Sequence, residues 1–308
     1  MALLLHVEPA RLVERLADPA VLEALRLSLL TSTAAGAAVV ALGLPLAYRL
    51  AGQGFRGKRL VEVLVDLPMV LPPTVAGFLL LLAFGRAGLG GRTLAFFGLS
   101  LPFTTLAVIV AQVFMSAPFF INAARAGFAS VDRRYCDAAA TLRAPGPVVF
   151  LRIMVPLSLP SLLAGAGMGW ARALGEFGAT ITFAGNLPGR TQTMPLGVYV
   201  ALQQDLELAV TLSFILVIMS VALLVELRSL PGILSGAVLA WARAIGEFGA
   251  TITFAGNAPG VTRTMPLEIY TALQTDPEPA IALSIVLLAL SIVVLAALRE
   301  KWLTNPWE

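Results

Sequence analysis

Seven stretches of the chain hold roughly 18 or more predominantly apolar residues in succession, at positions 27–48, 67–84, 101–120, 155–181, 206–225, 233–252 and 280–298. Each is long enough to cross bilayer hydrocarbon as one helix, since about 20 residues at about 1.5 Å per residue span about 30 Å. The polar positions fall in the connectors between these runs, which is the pattern of an all-α polytopic membrane protein. The first run follows a stretch of mixed charge, Glu8, Arg11, Glu14, Arg15 and Asp18. That stretch reads as an amphipathic surface helix, because a secretory signal puts its basic residues directly before the apolar core. The expected layout is an interfacial segment 1–24, a first membrane domain 25–228, a further block 231–299 and a tail 300–308.

Basic residues divide unevenly among the connectors. Arg49, Arg56, Lys58 and Arg59 follow the first run, Arg125, Arg133, Arg134, Arg143 and Arg152 the third, Arg228 the fifth, and Arg299 and Lys301 the seventh. The alternate connectors hold only Arg86 and Arg92, then Arg190, then Arg263. Lys and Arg mark the cytoplasmic side, so the N-terminus is expected outside and the C-terminus in the cytoplasm. Composition agrees, with 58% apolar and 13% charged residues and a mean hydropathy of +0.88. The net charge of +3 comes from these topological clusters, so no nucleic-acid partner is expected. One cysteine, Cys136, excludes an internal disulfide, and one histidine, His6, offers no ordinary metal or haem set.

"GQGFRGKR", 52–59, fits the phosphate-cradling pattern G-x-x-x-x-G-K-[ST] except at its end, where Arg59 replaces the hydroxyl that would ligate Mg²⁺. A phosphate loop also needs a strand before it, and here a membrane helix is expected. The segment reads as a cytoplasmic turn anchored by positive charge, so any ATPase is another chain.

The longest polar excursion runs from Ser130 to Pro160. Asp137, Ala138, Ala139 and Leu142 are expected on one face of a short helix, and "RAPGP" then breaks the chain before it re-enters the membrane. A solvated loop and a close-docking helix are both open on these grounds. "DAAATL" with "IMVPLSLP", holding Pro156 and Pro160, resembles the cytoplasmic loop of permease subunits of binding-protein-dependent ABC importers. There the pattern begins Glu-Ala-Ala, and the loop is a coupling helix docked into the ATPase. Asp137 keeps the charge of the usual Glu. Arg143 stands where a Gly is expected, with Gly146 three residues later able to supply backbone freedom. The stretches 67–85 and 175–199 are similar to the molybdate and tungstate branch; the sulfate branch carries Tyr and Ser where this chain has Phe177 and Ala179. The resemblance implies a type I importer permease with coupling loop 130–154, acting as a homodimer in the cell membrane. Cytoplasmic ATPase subunits that bind the ATP and Mg²⁺, and an extracytoplasmic molybdate-binding protein, are implied with it. No cofactor of its own is expected.

Within the fourth run Arg172 and Glu176 are four apart on an expected helical face. Charge at such depth costs roughly 2.5–3.5 kcal/mol on insertion scales, so both groups should face protein or a watery path. A structural ion pair and an anion path are both open. An oxyanion conduit would favour Arg172, Thr180, Thr182, Asn186 and exposed backbone N–H groups as donors. A secondary transporter built on repeats is the competing class, needing coupling carboxylates at midplane and no docking loop. A membrane enzyme would need paired acids, a metal cluster or a nucleophile with its base, and the sequence suggests none.

The stretch 160–228 recurs as 231–299, with about 40 of 69 positions identical. Arg243, Glu247, Thr251, Thr253 and Asn257 repeat the pathway candidates. Each copy holds two apolar runs, so the orientation is preserved. One copy is expected to be dispensable, and joining Leu159 to Pro231 to leave a working five-span protein.

Overall fold

The computed structural model describes residues 15–52, 54–226, 247–275 and 277–303, and every regular element among them is helical. The first apolar run becomes α1 (Pro19–Ala51), whose N-cap Asp18 accepts from the Ala20 N–H at 2.9 Å. Pro19 opens it without losing an intrahelical bond. Ahead of it the Arg15 guanidinium lies 3.1 Å from Asp205, whose charge is the main cause raising the Arg15 pKa above its ordinary value.

α2 (Lys58–Val70) starts at Gly57, which takes a φ of 86°. The run 67–84, expected as one span, is broken, because α2 ends at Val70 and α3 (Pro73–Phe84) begins beyond Leu71 and Pro72. Two successive prolines donate no hydrogen bonds and hold the residue before them extended, as Leu71 is with ψ 133°. α4 (Leu89–Phe96) then bends 46° from α3. α5 (Thr105–Ser130) and α6 (Arg133–Thr141) follow.

The run 155–181 is also not one helix. Gly146–Leu157, which includes a π turn over Phe150–Met154, meets α7 (Leu159–Leu174) at 75°. α7 stops before Gly175, and α8 (Gly178–Phe183) restarts after it. The bend falls at Ser158, with ψ near 0°, just before Leu159-Pro160, where proline removes a donor. α9 (Met194–Gln204) and α10 (Leu206–Glu226) complete copy one of the repeat. In copy two the described elements are α11 (Gly249–Phe254), α12 (Met265–Thr275) and α13 (Pro277–Leu303).

Among the described residues α1 and α5 alone are long and apolar enough to cross a membrane, and up to four spans result if each bent pair counts as one. The apolar stretches 206–220 and 277–289 are shorter, and most of the expected span 233–252 lies outside the described residues. The expected seven spans are therefore not counted out by these helices.

α1, α5 and α7 form the central bundle, burying Val39, Leu50, Phe120, Ile121, Phe128 and Leu162 between them. Small residues set the approach, since a Cβ on Gly165 would lie 2.7 Å from the Ala123 Cβ. α2 is tied to α5 by Asn122 Nδ2 donating to Asp66 Oδ1 at 2.7 Å and, one turn away, by Arg125 with Glu62 at 3.2 Å. Asp66 is thus a packing partner in mid-helix.

Candidate functional site

Two places concentrate the candidate residues. The first is α6. Asp132 caps it by accepting from the Arg134 N–H at 2.9 Å. Asp137 and Ala138 are exposed and Leu142 is 82% exposed, but Ala139 is only 6% exposed. The expectation that all four share one face is corrected, because neighbouring helical residues are about 100° apart. Arg134, Ala138, Thr141 and Leu142 form the outward strip, while Ala139 turns to the body beside Cys136, whose thiol is 3.6 Å from Met154 Sδ.

The end of α6 resolves the Arg143 departure. The Ala144 N–H donates to the Ala139 carbonyl at 3.1 Å and the Arg143 N–H to Ala140 at 3.0 Å, which together make a Schellman termination. Its left-handed position is Arg143 itself, with φ 54°. Gly146 supplies no such freedom and simply opens the turn Gly146–Val149. A non-glycine residue held there costs about 1 kcal/mol. Pro156 closes the bent run and Pro160 sits in the first turn of α7, both exposed.

The second place is the break between α7 and α8. Arg172, in the last turn of α7, reaches Glu176 Oε2 through Nη1 at 2.5 Å, with side chains 9% and 1% exposed. Glu176 Oε1 accepts from the Ala179 N–H at 2.8 Å. The carboxylate therefore caps the N-terminus of α8 while neutralising Arg172, and the two partners satisfy a charge that would be costly alone. Both line a cavity of about 90 Å³ together with Pro68, Met115, Phe119 and Glu247.

The other candidates are placed elsewhere. Thr180 is fully buried with its hydroxyl unpartnered. Thr182 Oγ1 donates to the Gly178 carbonyl at 2.9 Å and is pressed against α3, where a Cβ on Gly77 would lie 1.8 Å from it. Asn186 follows α8, its Oδ1 buried without a partner. None of the three lines the cavity. In copy two Glu247 Oε1 accepts from the Ala250 N–H at 3.0 Å, which repeats the cap, while Arg243 lies outside the described residues. Thr251 is half-buried and Thr253 exposed, and Asn257 is held by Thr271 and Arg263. Sequence reasoning passed over Gln112, fully buried in α5 with both amide atoms unpartnered. The signal was there, a lone amide within an apolar run. It also missed the aromatic contact of Phe177 with Phe248.

Comparison with known proteins bears on this geometry. The family model described as binding-protein-dependent transport system inner membrane component matches residues 40–227. The chain is 41% identical over 220 residues to the molybdenum transport system permease protein ModB of Mycobacterium bovis, covering 71% of this chain and 83% of that one. It is 40% identical over 182 residues to ModB of Escherichia coli, covering 59% and 80%. To the molybdate/tungstate transport system permease protein WtpB of Pyrococcus abyssi it is 42% identical over 173 residues, covering 56% and 64%.

Proposed function

The chain belongs to the family of inner membrane components of binding-protein-dependent transport systems, and we propose that it is the permease subunit of an ABC importer for molybdate or tungstate. The observation that carries this reading is that the matched segment 40–227 contains both the outward face of α6 and the buried Arg172–Glu176 pair. Relatives named for molybdenum and for molybdate/tungstate supply the substrate class.

In this reading an extracytoplasmic binding protein delivers the oxyanion, and Arg172, held in orientation by Glu176, presents guanidinium N–H donors beside the path. A separate cytoplasmic ATPase binds ATP and Mg²⁺ and docks on the strip of Arg134, Ala138, Thr141 and Leu142, where small Ala138 permits close approach and Leu142 stands out as an apolar knob. The turn after α1 supports a subunit without its own ATPase site, since it joins two helices and Lys58 Nζ donates to the Gly52 carbonyl at 3.0 Å. Charge distribution supports an N-terminus outside and α6 in the cytoplasm. Two such bundles enclose one path, the second coming from a second chain.

Ala138→Arg tests the reading. The variant should insert normally yet lose copurification with the ATPase and molybdate-stimulated ATP hydrolysis, because a bulky charge blocks the docking face. Copurification and uptake at parental levels would refute it. Ala139→Arg is the poorer probe, since the buried position would unseat α6 from its own chain.

A further inference from the structure

The two copies of the repeat meet through the same residues. Phe177 stacks on Phe248, its equivalent 71 positions later, with ring centroids 5.5 Å apart and 27° between planes. Leu196 and Leu267, also equivalent, are fully buried in the same cluster, and Ile181 with Ile252 and Tyr199 with Tyr270 pack around it. Each tyrosine stands edge-on to the phenylalanine of its own copy, at 5.5 Å and 71° for Phe177–Tyr199 and 5.1 Å and 65° for Phe248–Tyr270. The Glu176 and Glu247 turns face one shared cavity.

Tandem repeats ordinarily stack head to tail, so that one face of a unit meets a different face of the next. Here one face meets itself, which is the property of a two-fold interface. All four contact types are unchanged between the copies, whereas Gly197, on the side of copy one that lies toward α1, is Glu268 in copy two. We propose that Phe177, Ile181, Leu196 and Tyr199 form a two-fold pairing surface for a second copy of this chain, and that copy two occupies it from within the same chain. A tethered occupant acts at an effective concentration of the order of millimolar, above what a second chain offers unless the membrane is crowded with it. Copy two is then an internal competitor for the face at which two bundles meet. The inference rests on the two-bundle reading above, but its test does not depend on transport.

The experiment uses the full chain with Cys136→Ser and a short bismaleimide added to membranes without molybdate. Phe177→Cys with Phe248→Cys should give a link within one chain, found by mass spectrometry of the joined peptides, while Phe177→Cys alone should give little linked dimer. Adding Phe248→Glu and Leu267→Glu, which spoils the copy-two side only, should raise the Phe177→Cys dimer about tenfold, as loss of a tethered competitor predicts. If that doubly charged variant does not reach the membrane, Phe248→Ala with Leu267→Ala takes its place. Absence of the intrachain link, or a dimer yield that is the same with the copy-two face intact and spoiled, overturns the proposal.

Discussion

Copy one and copy two build the same local structure and bury it differently. Gly185 and Gly256 take φ of 73° and 76°, and Gly189 and Gly260 take 68° and 71°. Thr191 Oγ1 accepts from the Leu187 N–H at 2.8 Å, and Thr262 Oγ1 from the Ala258 N–H at 2.9 Å. Yet Met194 is fully buried while Met265 is 37% exposed, and Glu176 is enclosed where Glu247 is half-buried. The neighbours account for this. Copy one lies against α1, where Ser28 Oγ accepts from the Met194 N–H at 2.7 Å and a Cβ on Gly197 would be 3.8 Å from the Ala24 Cβ. At the matching place copy two carries Glu268, paired with Arg263 at 3.1 Å and partly in the open. Short-range sequence fixes turns and caps, and the partner helices decide which of two near-identical segments becomes interior.

The largest expected effect separates the copies by function. Truncation after Arg228 should keep molybdate uptake, because it retains the copy fitted to α1. The Leu159–Pro231 junction protein, expected from the sequence to keep working, should instead lose uptake, because it drives Glu268 into the place of Gly197, and Glu268→Gly should restore it. Equal uptake by truncation and junction proteins would erase the distinction drawn here.

Next is the buried pair. Glu176→Ala strips the partner from a nearly enclosed Arg172 and should destabilise by about 3–5 kcal/mol. Glu247→Ala, which removes a more exposed helix cap, should cost about 1 kcal/mol. Thermal unfolding of the two purified variants in the same detergent reads the difference, and matching shifts would show that burial does not set it.

A smaller contrast lies at the glycine after the phenylalanine. A Cβ on Gly178 would sit 2.7 Å from Pro73 Cβ, whereas on Gly249 it meets only Phe177 at 3.4 Å and the flexible end of Glu247. Gly178→Ala should cost about 1–3 kcal/mol by overpacking and Gly249→Ala less than about 1 kcal/mol, again read by thermal unfolding. The least effect is expected for Glu268→Ala, which removes the pair that the 43% exposed Glu268 makes with Arg263, worth at most about 1 kcal/mol. A larger loss would mean that copy two has a buried neighbour of its own at this point.

Much of this was open to reading in the chain. Apolar runs gave the helical membrane class, the 71-residue recurrence gave two equivalent segments, and the spacing of Arg172 and Glu176 gave their pairing. Less legible was the manner of pairing. Glu176 is not in the helix that holds Arg172 but beyond its end, where it caps α8, and a four-residue spacing alone cannot distinguish an intact turn from one broken at Gly175. The face of α6 was misread for a related reason, since an alanine is small enough to suit either an outward docking strip or an inward seat, and only the Cys136–Met154 contact shows which side is down.

What the sequence determined by itself was set by short-range physics: apolar runs for the helical membrane class and a four-residue spacing for the Arg172–Glu176 pair, whereas the breaks at Pro72 and Pro160 fall inside runs expected as single spans and the left-handed turn falls on Arg143 and not on Gly146. What only the tertiary structure decided was which identical residues would meet. Phe177 and Phe248 are the same side chain in the same local frame, and nothing within either segment says that one packs on the other. That contact depends on the placement of α2, α3 and α5 around both copies, because burial is a property of what surrounds a residue and not of the residue.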